Sequence, residues 1–392
     1  MSLVATWPRV QLGDICNLVN GDAYRETDWH TTGVPIIRIQ NLNDARKPFN
    51  HWQGSLDDRV VVNPGDVLLA WSGTPGTSFG AHLWERGFAI LNQHIFRVDL
   101  DKTRADARFA VFAINEQLDE MIQRSHGAVG LRHVTKGEVQ SLEIPLPPLA
   151  EQKRIAARLR EQLAAAETAR QAVAAQLAAA RRLPSALLET IFAGSEADAW
   201  PRERLGTVLL PRNDIVHPYD KPKGRVQFVG LEHVEPHTGR RLGAVEVEQA
   251  ELTGRKSRFF PGDIVYGYLR PYLNKVWIAE FAGLCSVDQY VYRIAPEQAD
   301  TGFIAWFLRS PTYLRRAPVD VSPGQLPRIR MEEVAAVEIG LPLLAEQRII
   351  AARLDAELAA TAALRASLER RLHDLEKLPA TLLREAFGGA QN

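Results

Sequence analysis

Between Ile144 and Gly194 the apolar residues fall three or four positions apart, at Ile155, Leu159, Leu163, Ala166, Val173, Leu177 and Leu183, with polar residues between. The pattern returns between Ile339 and Gly389, at Ile350, Leu354, Leu358, Leu364, Leu368, Leu372, Leu375 and Leu378. Such spacing makes a narrow helical seam of the coiled-coil kind. The two stretches align without a gap at an offset of 195, with 23 of 51 positions identical. The chain is therefore built as two tandem halves. Neither seam can be buried alone, so the spacing predicts that the helices pack on each other, antiparallel or crossed. The seam residues expected to touch are Ile155, Leu159, Leu163, Val173 and Leu177 against Ile350, Leu354, Leu358, Leu368, Leu372 and Leu375.

The ends of these helices are marked too. Pro147-Pro148 and Pro342 favour an extended approach, and Glu151 and Glu346 put a carboxylate near the first turn, where the helix dipole favours it. Pro184 and Pro379 interrupt both copies at one place, which starts a second short helix or kinks the first. Gly194 and Gly389 suit a helix end. At 1.5 Å per residue, a helix of about 33 residues is roughly 50 Å long.

Ahead of each helix the repeat continues more faintly. Trp7 to Gly13 matches Trp200 to Gly206, and the strand-like Val34 to Leu42 is echoed by Val226 to His233. Pro64-Gly65-Asp66 and Pro261-Gly262-Asp263 each launch a hydrophobic strand. Asn92-Gln93-His94 corresponds to Asp288-Gln289-Tyr290, and helical stretches follow at about 106–124 and 301–316. The order is globular, helix, globular, helix, with a common scaffold and divergent loops. One physical reading is two modules doing the same job on different targets.

Composition narrows the class. The chain of 392 residues, 46% hydrophobic and 24% charged, has enough apolar residues for real cores. No apolar run approaches a membrane span, and the first residues lack the basic and apolar regions of a signal peptide. Cys16 and Cys285 are isolated thiols, most simply core residues of a cytoplasmic protein. The formal net charge is zero, so a nucleic-acid surface has to come from local asymmetry. Gly76-Thr77-Ser78-Phe79-Gly80 fits G-x-S-x-G, but a strand rather than a helix follows, against a nucleophile elbow. No phosphate-binding G-x-x-x-x-G-K-[ST] occurs. The ten histidines lack metal-ligand spacing, and His94 sits in the apolar strand context of a satisfied core histidine.

The chain resembles the DNA-specificity (S) subunit of type I restriction–modification systems, the HsdS family. The resemblance is carried by IPLPPLAEQKRIAARL (Ile144 to Leu159), IGLPLLAEQRIIAARL (Ile339 to Leu354) and VYGYLRPYLNKVW (Val265 to Trp277). It covers nearly the whole chain and implies a mixed α+β fold. Two α/β target-recognition domains, 1–148 and 195–343, would be separated by a pair of long antiparallel coiled-coil helices, 149–194 and 344–392, in a pseudo-two-fold internal repeat. It implies a non-catalytic subunit that reads a split, asymmetric site in double-stranded DNA. Two methyltransferase (M) subunits and restriction/translocase (R) subunits would dock on it. S-adenosylmethionine, ATP and Mg would then belong to those partners, with no cofactor on this chain.

The residues suited to touching DNA follow from their chemistry. The glycine-bearing basic loop 126–136 offers Gly127, Arg132, His133 and Lys136, and its counterpart at 321–330 offers Gly324, Gln325, Arg328 and Arg330. A second group joins Tyr268, Arg270, Tyr272, Asn274 and Lys275 to Arg255, Lys256 and Arg258. In the first module Arg38, Gln40 and Asn41 carry base-reading donors, with Arg25 and Trp71 to Thr77 weaker. Each of these is also an ordinary solvated residue or salt-bridge partner in a bland reading. Two other functions stand beside DNA reading: a coiled-coil adaptor whose modules bind protein, and, remotely, a hydrolase using Ser78.

Overall fold

The computed structural model describes residues 7–71, 79–124, 135–321 and 324–387. The chain divides into two compact units, Met1–Val173 with Arg370–Asn392, and Ala174–Glu369. The division falls inside both long helices, so each unit holds one globular module and a stretch of each helix.

The modules repeat one topology. In the first, strands Cys16–Asn20, Ile95–Leu100, Val67–Ala70 and Gly80–Leu83 lie side by side in that order, all antiparallel. In the second the same order is made by Leu209–Pro211, Gln289–Ile294, Ile264–Gly267 and Val276–Ile278. All four residues of Val67–Ala70 and of Ile264–Gly267 are buried, which explains their unbroken apolar runs. Just before each run, Gly65 (φ 96°) and Gly262 (φ 85°) take the left-handed turn that only glycine adopts without strain. A second sheet pairs Val34–Ile37 parallel to Ala89–Leu91, and Arg225–Val229 parallel to Gly283–Ser286. The second module adds one edge strand, Ile215–Val216.

The repeated LAEQ signature has a specific structural job. Gln152 and Gln347 are fully buried. The Gln152 amide donates to the carbonyls of Arg104 (2.8 Å) and Pro147 (2.7 Å), and its oxygen accepts from Asp106 N at 2.8 Å. Gln347 repeats this with Gln298 O (3.1 Å), Pro342 O (2.8 Å) and Asp300 N (2.9 Å). Asp106 and Asp300 in turn accept from Phe109 N and Phe303 N. One side chain thus ties the first turn of a long helix to the start of the helix before it, leaving no buried amide group unsatisfied.

The two long helices are Leu149–Ala180 and Leu344–Phe387. In the first unit Ile155 and Leu159, near the start of one, share a core with Leu383, Ala386 and Phe387, at the end of the other. The Phe387 ring meets Phe109 edge-on at 5.4 Å. In the second unit Leu188 and Phe192 pack with Ala351, Leu354 and Leu358, and Arg181 pairs with Glu369 at 3.3 Å. The pairing is antiparallel within each unit. Ile155, Leu159, Val173, Leu177, Leu354 and Leu368 are buried, while Leu163, Ile350, Leu358, Leu372 and Leu375 are half-buried. Leu183 and Leu364 are corrections: each 46% exposed, they lie off the seam.

Other local expectations resolve more finely. At Pro184 the first helix stops and a new one, Leu183–Ala193, begins, whereas the second helix runs straight through Pro379. Gly194 is extended (φ −80°) and not left-handed; it is needed because a Cβ there would sit 2.2 Å from the Thr190 carbonyl oxygen. Gly389 lies outside the described residues. The helical stretch before each long helix is continuous in the first module, Ala107–Arg124, but breaks at Ser310 in the second, into Thr301–Arg309 and Pro311–Arg316. The strand-like segments end early, at Ile37 and Val229, and turn helical at once.

Candidate nucleic-acid interface

In the second module the two groups of candidate residues come together. Strand Ile264–Gly267 leads into a loop whose Arg270 and Asn274 are left-handed (φ 49° and 48°) around the short helix Pro271–Leu273. The returning segment 324–330 is zipped onto this loop. Arg270 N donates to Pro327 O at 2.7 Å, Ile329 N to Tyr268 O at 3.2 Å, and Leu269 bridges Arg328. Tyr268 stacks on Tyr290 with centroids 4.4 Å apart and planes at 17°, and the Tyr290 hydroxyl donates to Ile329 O at 3.3 Å.

Around that aromatic pair sits local positive charge. Arg255, Arg270 and Arg330 are exposed and Arg328 is half-buried. Burial raises the Tyr268 phenol, followed by the Asp288 charge, although Arg328 and Arg255 pull the other way. Burial, and then Tyr268 itself, push Tyr290 up to about 12. Both phenols are therefore neutral near pH 7. Tyr272 stands 55% exposed at the loop tip. Arg330 lies 3.8 Å from Asp320 and Arg328 donates to Gln325, so part of the charge is already engaged.

The first module carries a different rim on the same scaffold. Trp71 occupies the place of Tyr268 and stacks on Phe96, the equivalent of Tyr290, with centroids 5.7 Å apart and planes at 28°. His94, the equivalent of Asp288, lies 5.7 Å from the Trp71 ring with planes at 58°. Beside them opens a cleft of about 340 Å³ that includes Trp29, Arg38, Gln40 and Gln93. The Arg38 guanidinium lies over the Trp29 ring at 4.5 Å, and Gln40 is exposed. Among the described residues no group of three or more His, Cys, Asp or Glu is placed to hold a metal.

Residues 5–174 match the family model of the type I restriction modification DNA specificity domain. Over 418 residues the chain is 23% identical to the specificity subunit of the type I restriction enzyme EcoDI of Escherichia coli, spanning 99% of this chain and 89% of that one. Along nearly its whole length the chain is thus similar to type I restriction enzyme specificity subunits. Its fold follows the HsdS subunit from Thermoanaerobacter tengcongensis (TM-score 0.66, 20% identity, covering 100% of this chain and 99% of that one). It also follows a chain in a structure on complex assembly and conformational transition of the type I R-M system (TM-score 0.71, 21% identity, 100% of both).

Several residues of this chain that suit base reading by type are used internally instead. Asn41 is fully buried; its oxygen accepts from Arg38 N at 3.1 Å and its amide donates to the carbonyls of Lys47 and Pro48 at 3.1 Å. His233 does the equivalent work in the second module, accepting from Gly230 N at 3.0 Å. Asn274 is 2% exposed and donates to Arg309 O at 2.8 Å. Both asparagines shape loops and are corrected from readers to positioning residues. Lys275 donates to Leu231 O at 2.5 Å, Lys256 to Gly254 O at 3.2 Å, and Arg258 pairs with Asp214 at 3.5 Å. Exposed Lys136 donates to Leu18 O at 2.7 Å, while Gly127, Arg132 and His133 lie outside the described residues, as does Ser78. Gly324 is left-handed (φ 78°) with open space around it, and Gln325 is exposed.

Sequence reasoning misplaced His94. It is half-buried, lines the cleft, and its Nδ1 has no hydrogen-bond partner among the described residues, so it is not a satisfied core histidine. The alignment of Asn92-Gln93-His94 with Asp288-Gln289-Tyr290 is corrected by the strand register, which sets Phe96 opposite Tyr290 and His94 opposite Asp288. Trp29 and Tyr24 gave no signal, because nothing in the repeat marks them. The stack of half-buried His217 on exposed Tyr219, with centroids 4.6 Å apart, was missed for the same reason.

Proposed function

We propose that this chain is a specificity subunit that reads a bipartite, asymmetric site in double-stranded DNA, one half with each module, and carries no catalytic group of its own. The observation that supports this most is the pair of unlike rims on one scaffold, the Trp71–Phe96 stack with His94 in one module and the Tyr268–Tyr290 stack with Asp288 in the other. A homodimeric reader with identical rims would select a palindrome; two different rims in one chain select two different words. Exposed arginines beside stacked rings suit phosphates and base edges alike.

Methylation and cleavage would be supplied by methyltransferase and restriction subunits docked on the specificity subunit, which hold the S-adenosylmethionine, ATP and Mg. Such an assembly works on DNA in the cytoplasm. Among the described residues no helix is long and apolar enough to cross a membrane. The adaptor reading, with modules that bind protein, is not favoured by the relatives.

The test is salt-dependent binding of duplex DNA by the complex with its methyltransferase subunits. Neutralising a phosphate-contacting arginine lowers the slope of log K against log salt by about one. Arg270→Ala and Arg255→Ala are expected to lower it by that amount each. Affinity that ignores salt, with tight retention of a protein partner only, would turn the reading toward the adaptor.

A further inference from the structure

The cleft of the first module holds polar groups that the fold itself does not use. Trp29 Nε1 and His94 Nδ1 are both buried at the atom level with no hydrogen-bond partner among the described residues. Such atoms cost free energy unless something fills the site. The Arg38 guanidinium is held over the Trp29 ring at 4.5 Å, and among the described residues its side chain has no carboxylate or carbonyl partner. Its N–H groups are therefore unspent. At about 340 Å³ the cleft is at the small end of binding pockets.

The chemistry of the lining separates two occupants. A phosphate offers only acceptors, yet this lining mixes the cations Arg25 and Arg38 with the carboxylate of Glu26 and the amides of Gln40 and Gln93. A base edge carries donors as well as acceptors and tolerates both. Arginine presents a planar fork that matches the two major-groove acceptors of guanine, O6 and N7. Tyr24 and Trp29 add flat apolar surface.

We infer that the Arg38–Trp29–His94 cleft reads one guanine of the half-site bound by the first module, with Arg38 as the specificity-determining side chain and Trp29 as its positioning platform. This rests on the DNA-reading function proposed above.

The experiment uses the full chain in complex with its methyltransferase subunits. The site is first obtained from the pattern of methylated bases. Fluorescence anisotropy at one salt concentration then compares duplexes in which each base pair of the site is replaced in turn. Wild type is expected to discriminate against loss of one G·C pair in the first half-site by roughly 10- to 100-fold. Arg38→Lys, which keeps the charge and loses the fork, should abolish that preference alone, leaving the second half-site as read before.

An arm with unaltered protein guards against misfolded variants. Replacing that guanine by 7-deazaguanine removes N7, and should weaken wild type while leaving Arg38→Lys no weaker than it already is. The inference is overturned if 7-deazaguanine is silent throughout the first half-site, or if Arg38→Lys keeps the preference. It is also overturned if the variant weakens every duplex equally, the mark of a phosphate contact. Should wild type bind duplexes without any sequence preference, the DNA-reading function itself fails, and the two failures are thereby told apart.

Discussion

A buried glutamine at the same place in each half shows how much one residue type can fix. Gln347 satisfies Asp300 N and the carbonyls of Gln298 and Pro342. Gln347→Ala orphans all three, at on the order of 3 kcal/mol. We expect denaturant unfolding of that variant to show a loss of this size, and Gln152→Ala to match it; a loss below about 1 kcal/mol would mean water replaces the amide. Thiol chemistry makes a second prediction at this scale. Burial pushes Cys285 up to about 12, and burial followed by the Asp99 charge does the same to Cys16. At pH 8 both should react with a thiol reagent about a thousandfold more slowly than a free cysteine, and at the free rate once the chain is denatured. Not all residue types were so transparent. Asn41 and Asn274 look like base readers by type, but polar side chains in tight loops are recruited by neighbouring backbone groups first.

Elements were legible where a period or a punctuation mark wrote them. The long helices and their packing on each other followed from the 3–4 spacing, which left antiparallel and crossed pairing open, and the twin central strands from unbroken apolar runs behind Pro-Gly-Asp. Ends were less legible, because a proline states that the ladder is interrupted without stating how the chain responds. Pro184 sits in the first turn of a new helix, where its missing N–H is harmless, while Pro379 sits inside a continuous helix. The same substitution should therefore act differently at the two sites. Pro379→Ala is expected to stabilise the protein by about 1–3 kcal/mol, whereas Pro184→Ala should change stability by less than about 1 kcal/mol. Equal effects in thermal unfolding would show that the copies bend alike. Leu364 failed for another reason: a seam position is buried only if a partner side chain faces it, and at 46% exposed this one has none close enough to cover it.

For the whole molecule, two modules of one topology with unlike rims predict separable reading. Replacing residues 20–140 by the matching segment of another specificity subunit should change one half of the methylated site and leave the other half intact. A change in both halves would refute modular reading. Lengthening both helices by one turn, near Ala175 and near Arg370, should add unread base pairs between the halves. Mapping of methylated bases with unchanged spacing would show that the helices do not set it.

The sequence alone determined the duplication, the order of globular and helical segments, and the family resemblance, because each is written as a period or a repeated string that local physics enforces. Only the tertiary structure decided which polar side chains remain available to DNA. Arg270 and the 324–330 segment lie more than fifty residues apart in the chain but share a backbone hydrogen bond, and Trp29, Arg38 and His94 meet in one cleft. Availability depends on which neighbours have already taken a donor or acceptor, and those neighbours are chosen by packing between distant segments.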